Sequence, residues 1–179
     1  MNPAPTMQDI VPPLSSAPEV RRPNRSRFLW FLMAFALLTF GLRTQFRLVL
    51  VKGQSMAPTL ASGELLLVST RAYLKAPPAR GDVVVARYQG ELIVKRVVGL
   101  PGETVDARHG HVHVDGRPLL ESYPLAGGWL DIRAGFLIDG SYALLGDNRS
   151  LPSTVLVHAV VPEDRFVGKV VGSLHLWPV

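Results

Sequence analysis

Two short stretches hold side chains whose chemistry depends on what surrounds them. The first is GQSMAPTL, residues 53–60. Ser55 lies between Gly53, which can take backbone angles closed to other residues, and Pro58, which fixes the chain three residues on. Such a turn can present the Ser55 hydroxyl while aiming nearby amides at an incoming carbonyl oxygen. Gly-x-Ser is also an ordinary turn, and spacing alone leaves both readings open. The second stretch is ELIVKRVVGLPGE, residues 91–103. On a strand, Ile93, Lys95 and Val97 share one face, while Leu92, Val94, Arg96 and Val98 share the other. Each face then sets one cation among branched apolar side chains. Burying an ammonium is costly. An edge strand whose cations reach water avoids the cost; a lysine that gives up its charge also avoids it. Bringing a lysine from about 10.4 to near 7–8 takes about 4 kcal/mol from its charged form. The neutral amine can then accept the proton of a serine hydroxyl.

Other combinations are weaker. His109, His111 and His113 alternate, so on one strand they would share a face and could hold a metal. A solvated hairpin face is the plainer account. A Ser–His–Asp set through His158 has no motif behind it. The chain has no cysteine, which excludes disulfides, thiolate metal sites and a cysteine nucleophile. No metal or other cofactor is expected.

The elements that must position these groups follow from charge and periodicity. Net charge is +5 over 179 residues. Residues 1–52 carry seven basic and two acidic side chains, whereas residues 53–179 carry twelve of each. A neutral folded part lacks the footprint of a phosphate-backbone binder, so nucleic acid is not an expected partner. Residues 1–27 read as a disordered cytoplasmic arm with the basic cluster Arg21, Arg22, Arg25 and Arg27; six prolines fall within residues 1–24. The uncharged run 28–42 that follows rises about 22 Å as a helix. With snorkelling of Arg27 and Arg43 and Trp30 at the interface, it can cross a membrane, and residues 28–47 are expected to form a transmembrane anchor and its flank. The arginine cluster directs the arm inward and the rest outward. A cleaved signal peptide would need a small-x-small site that LRTQF does not offer, and a buried core helix would be striped rather than apolar all round.

From residue 48 the pattern changes to period two and short apolar runs between turn residues. Strands are expected at 48–51, 65–69, 82–86, 91–98, 104–107, 111–114, 142–145, 155–161 and 167–175. Asp115–Gly116 marks a hairpin. Residues 122–135 look like a looser surface insertion. The fold class is therefore mostly β: a compact antiparallel sheet domain over 48–179, preceded by one N-terminal transmembrane helix.

The motifs and their order resemble those of type I signal peptidases (leader peptidases): an N-terminal anchor, then GQSMAPTL, RGDVVV at 80–85, VKRVVGLPGE at 94–103, and GDNR at 146–149. The resemblance implies a serine endopeptidase of the Ser–Lys type that removes leader peptides from exported proteins, held in the inner membrane with its catalytic domain outside. It implies Ser55 as nucleophile, Lys95 as general base, the Ser55 amide as oxyanion donor, and Gly53 contributing backbone only. Asp147 is expected to pair with Arg96, and Arg80 and Asp82 to do similar supporting work. Signal peptides and membrane lipid are the implied partners; oligomeric state stays open. After GDNR the sequence departs from the family pattern of serine, aspartate and arginine at alternate positions, where Pro152, Thr154 and Leu156 stand. A one-residue slip would let Ser153 supply the hydroxyl. That departure motivates two alternatives, a weakened membrane-tethered peptide-binding homologue and a relative dedicated to one precursor. A self-cleaving repressor-type Ser–Lys protein is opposed by the apolar segment and the neutral domain.

Overall fold

The uncharged run has no polar stripe to turn toward water, and it forms one helix, α1 (Arg25–Gln45). Its 21 residues rise about 31 Å, comparable with a hydrocarbon core of about 30 Å. Phe28, Trp30, Phe31, Phe35 and Phe40 are all exposed along it, and the segment Ser26–Gln45 is long and apolar enough to cross a membrane. The structure, a computed structural model, describes residues 25–151 and 158–174. The chain divides at residue 38 into two units.

The second unit is built from short antiparallel strands. In chain order these are β1 (Phe46–Leu50), β2 (Leu65–Ser69), β3 (Val83–Tyr88), β4 (Glu91–Gly99), β5 (Thr104–Arg108), β6 (His111–Val114), β7 (Arg117–Pro118), β8 (Ile132–Phe136), β9 (Ser141–Leu145), β10 (His158–Pro162) and β11 (Phe166–Leu174). They form a seven-stranded sheet, ordered β1-β2-β11-β3-β4-β9-β10, and a four-stranded sheet, ordered β7-β6-β5-β8. Phe46 and Arg47, expected in the anchor's flank, instead open β1, because they pair with Ser69 and Val68 of β2. The hairpin at Asp115–Gly116 forms between β6 and β7, with positive φ at both residues, as a two-residue turn of this kind requires.

The continuous apolar runs of β3 and β4 reflect burial on both faces. Val84, Ala86, Ile93 and Val97 pack on one side with Tyr142 and Leu144 of β9. Val85 packs on the other with Leu66 and Val68 of β2, and with Met56 and Leu60 from the loop after β1. A third cluster joins the small sheet to the large one through Val98, Val112, Leu137 and Leu145.

Residues 122–135 are not a loose insertion. Ile132–Phe136 is β8, which pairs with β5, and Ala126 bridges to Asn148. Within β8 only Ile132 is partly covered while Arg133 to Phe136 are exposed, so no buried alternation marks it in the sequence. Expected strands 155–161 and 167–175 correspond to β10 and β11 where residues are described; residues 155–157 and 175 lie outside the described residues, as do the arm 1–24, Pro152, Ser153, Thr154 and Leu156.

Candidate active site

The turn after β1 is closed at its neck by two backbone hydrogen bonds, Val51 N–H to the Glu64 carbonyl at 2.8 Å and Gly63 N–H to the Val51 carbonyl at 3.0 Å. Met56 and Leu60, 2% and 5% exposed, plug it into the core. Gly53 takes φ +90°, a value that favours glycine. Its amide donates to the Ser62 hydroxyl at 3.3 Å, so Gly53 shapes the turn while its N–H is already engaged. Between these anchors Ser55 is held half-buried.

Lys95 reaches this hydroxyl from β4. Its Nζ lies 2.5 Å from Ser55 Oγ, and the lysine is 3% exposed. Burial lowers its pKa to about 8, against the opposing pull of the Asp147 carboxylate. An amine with such a pKa is neutral in about a tenth of molecules at pH 7 and about half at pH 8, and at this distance it can accept the hydroxyl's proton. Loss of hydration is what weakens its hold on the proton.

Arg96, the next residue, meets burial differently. Its Nε and Nη2 donate to both oxygens of Asp147 at 2.9 and 2.6 Å, and Nη1 donates to the Gly81 carbonyl at 2.8 Å. Asp147 is fully buried and also accepts from the Thr59 hydroxyl at 2.5 Å. This fork-to-fork pairing satisfies both groups. The Tyr123 ring covers the guanidinium, with Cζ 3.9 Å from the ring centroid. Tyr123 OH donates to Glu121 at 2.6 Å, and Glu121 holds Arg149 at 2.5 Å. Arg149, 2% exposed, donates to the Gly146 and Gly110 carbonyls at 2.8 and 2.7 Å. The ring thus closes from Arg96 through Tyr123, Glu121 and Arg149 back to the residue before Asp147.

The same loop touches the nucleophile turn directly. Asn148 N–H donates to the Ser55 carbonyl at 3.1 Å, and Asn148 Nδ2 donates to the Gln54 carbonyl at 3.1 Å. A Cβ on Gly146 would lie 2.3 Å from the Ser55 carbonyl oxygen, closer than any side chain allows. Only glycine fits there.

A groove of about 620 Å³ opens at the dyad, lined by residues 48–56 on one side and 91–95 on the other. β4 pairs with β9 only from Arg96 to Gly99, so among the described strands Glu91–Lys95 has one edge unpaired. β1 is the terminal strand of its sheet.

The family profile described as "Signal peptidase, peptidase S26" matches residues 25–175. The chain belongs to the signal peptidase family, peptidase S26. Among its relatives, a probable signal peptidase I-1 of Synechocystis sp. (strain ATCC 27184 / PCC 6803 / Kazusa) is 34% identical over 128 residues, which cover 66% of this chain and 65% of that protein. Signal peptidase I of Leptolyngbya laminosa is 31% identical over 157 residues, 82% of this chain and 74% of the relative. Signal peptidase IB of Staphylococcus aureus is 30% identical over 147 residues, 72% and 76% respectively. A signal peptidase I crystal structure from Enterococcus faecalis V583 aligns with TM-score 0.42 at 24% identity, over 52% of this chain and 96% of that one.

In this member of the family, the geometry brings Ser55, Lys95, Arg96 and Asp147 together; Ser153 lies outside the described residues. Arg80 bonds to the Val98 carbonyl and to Glu103, and Asp82 pairs with Lys169 at 2.6 Å. The three alternating histidines do not share a strand: His109 lies in the turn before β6, with φ +49°, edge-on to Trp129 at 5.8 Å. No cluster of metal-ligating side chains occurs among the described residues. Sequence reasoning missed Thr59, Glu121, Tyr123 and Asn148. Asn148 was readable as part of GDNR; Glu121 and Tyr123 carried no signal, because their partners are distant in sequence.

Proposed function

We propose that this protein is a membrane-anchored serine endopeptidase that removes signal peptides from exported precursors through a Ser–Lys acyl-enzyme. The observation that carries the reading is the buried Lys95 amine 2.5 Å from the Ser55 hydroxyl. Neutral Lys95 takes the hydroxyl proton as Ser55 Oγ bonds to the scissile carbonyl carbon. The carbonyl oxygen, now anionic, is met by the Ser55 amide. When the intermediate collapses, Lys95 returns the proton to the departing amine and the signal peptide remains as an ester on Ser55. Water gives a proton to Lys95 as it attacks that ester; the bond from the acyl carbon to Ser55 Oγ breaks, Lys95 returns the proton to Oγ, and the peptide leaves with its new carboxylate.

The groove supports an extended substrate segment that adds to the free edge of Glu91–Lys95 by backbone pairing, with small side chains taken at A-x-A-like positions. The helix α1 anchors the chain once in the cytoplasmic membrane, with Arg21, Arg22, Arg25 and Arg27 inside and residues 48–179 outside. Enzyme and precursor then share one membrane, which raises their local concentration.

Full-length protein in detergent, given a precursor with a small-x-small site, is expected to cleave it once. Ser55→Ala and Lys95→Ala should each leave the precursor intact while circular dichroism stays native. Retained cleavage by purified Ser55→Ala would rule this mechanism out. Turnover comparable across several precursors separates a general enzyme from one weakened or dedicated by the change at Pro152, Thr154 and Leu156.

A further inference from the structure

The sheet carries a second pocket whose lining includes neither Ser55 nor Lys95. Along β1, Arg47 and Val49 share a face; along β3, Val83, Val85 and Arg87 do; past β2, Thr70 continues the face of Leu66 and Val68. The valines and Leu66 belong to one core cluster, so at its end this core gives way to arginines. Arg47, Thr70, Arg87 and Arg165 line a pocket of about 260 Å³ there. Its one carboxylate is Asp164, itself largely exposed and 3.9 Å from Arg165. Three guanidiniums against one solvated carboxylate leave an excess of positive charge in a concave site. Planar forks of this kind match phosphate oxygens in pairs.

The pocket's position selects among phosphate sources. Thr70 pins the end of α1: its amide donates to the Gln45 carbonyl at 2.9 Å, and its hydroxyl lies 3.2 and 3.1 Å from the carbonyls of Thr44 and Gln45. Arg47 follows the helix by two residues, within about 7 Å of chain. If α1 spans a membrane, the pocket sits at headgroup level.

We propose that Arg47, Arg87 and Arg165 form a binding site for the phosphodiester of an anionic phospholipid at the membrane surface where α1 emerges. This rests on the membrane-spanning reading of α1, and on nothing in the catalytic mechanism. The site seats the sheet against the bilayer and steadies the groove relative to it.

The test uses the full-length chain in neutral detergent and native mass spectrometry, with dioleoyl-phosphatidylglycerol, dioleoyl-phosphatidylcholine or inorganic phosphate added. Phosphatidylglycerol should be retained about tenfold over phosphatidylcholine, on the scale expected for basic residues at an anionic surface. Arg47→Gln/Arg87→Gln/Arg165→Gln should bring retention down to the phosphatidylcholine level, and Asp164→Asn should raise it. Equal retention of the two lipids overturns the proposal, as does unchanged phosphatidylglycerol retention in the triple variant. Inorganic phosphate that displaces the lipid fully at equal concentration would also overturn it, marking a free-anion site. Peptide turnover in detergent should be unchanged in the triple variant, and Ser55→Ala should retain lipid normally, so the two readings fail separately. Flotation of the wild-type chain with vesicles checks the anchor by itself.

Discussion

β4 carries two adjacent cations, and the regions on its two faces deal with them in opposite ways. Lys95 is buried beside Ser55 with the nearest carboxylate engaged elsewhere, and desolvation brings its pKa down to about 8. Arg96 is buried against Asp147, and every oxygen and nitrogen in that contact is paired. The first arrangement makes a base; the second makes a fixed brace. The difference teaches that burial alone does not decide whether a cation becomes reactive. What decides is the chemistry of the group: a desolvated amine can give up its proton, whereas a guanidinium stays charged and needs a carboxylate to offset its burial.

The contrast can be broken at several points. The largest effect is expected at the base itself. Lys95→Arg replaces an amine that can lose its proton with a guanidinium that does not, and kcat/KM should fall by about 10³-fold or more. Steady-state cleavage of a fluorogenic signal-peptide substrate reads this directly. Next, Asp147→Asn leaves the Arg96 charge buried and uncompensated, and about 3–5 kcal/mol of stability should go, read as a lower urea midpoint. In molecules that remain folded, the loss of the Asp147 charge also removes what raises the Lys95 pKa, so the pH–rate profile should shift to lower pH. In the native protein kcat/KM should rise as Lys95 loses its proton, with its limb centred near pH 8. A limb near pH 10 would show a solvated lysine and end the comparison. Thr59→Val removes a hydrogen bond to a buried carboxylate and should cost about 1.5–3 kcal/mol, with the limb of the profile nearly unmoved. The smallest effect belongs to Tyr123→Phe, which keeps the ring over Arg96 and drops only the hydroxyl to Glu121; about 1 kcal/mol is expected, measured as a small fall in Tm. Tyr123→Leu, which also removes the ring, should lose more.

Much of the scaffold was legible along the chain because its signals are local. β2 and β6 appear where period-two runs end at turn residues, and the Asp115–Gly116 hairpin follows from two residues that tolerate positive φ. β4 was readable as a strand with one cation per face. β8 was not, since Arg133, Ala134 and Gly135 carry neither alternation nor branched side chains, and pairing with β5 alone makes them a strand. The brace was half-legible: Arg96 and Asp147 lie in recognisable motifs. Glu121 and Tyr123 sit in a stretch with no pattern and gain meaning only from Arg149 and Arg96.

By itself the amino-acid sequence determined the apolar helix, the alternation of the strands, the glycine-permitted turn at Ser55, and the presence of one lysine and one arginine on opposite faces of the same strand. Each of these depends on neighbours a few residues away. Only the tertiary structure decided which of the two cations meets the hydroxyl, because Ser55 and Lys95 are 40 residues apart and Arg96 and Asp147 are 51 apart. Such contacts are selected by the packing of whole strands. Among the described residues no carboxylate forms an ion pair with Lys95, and its face of β4 became the reactive one.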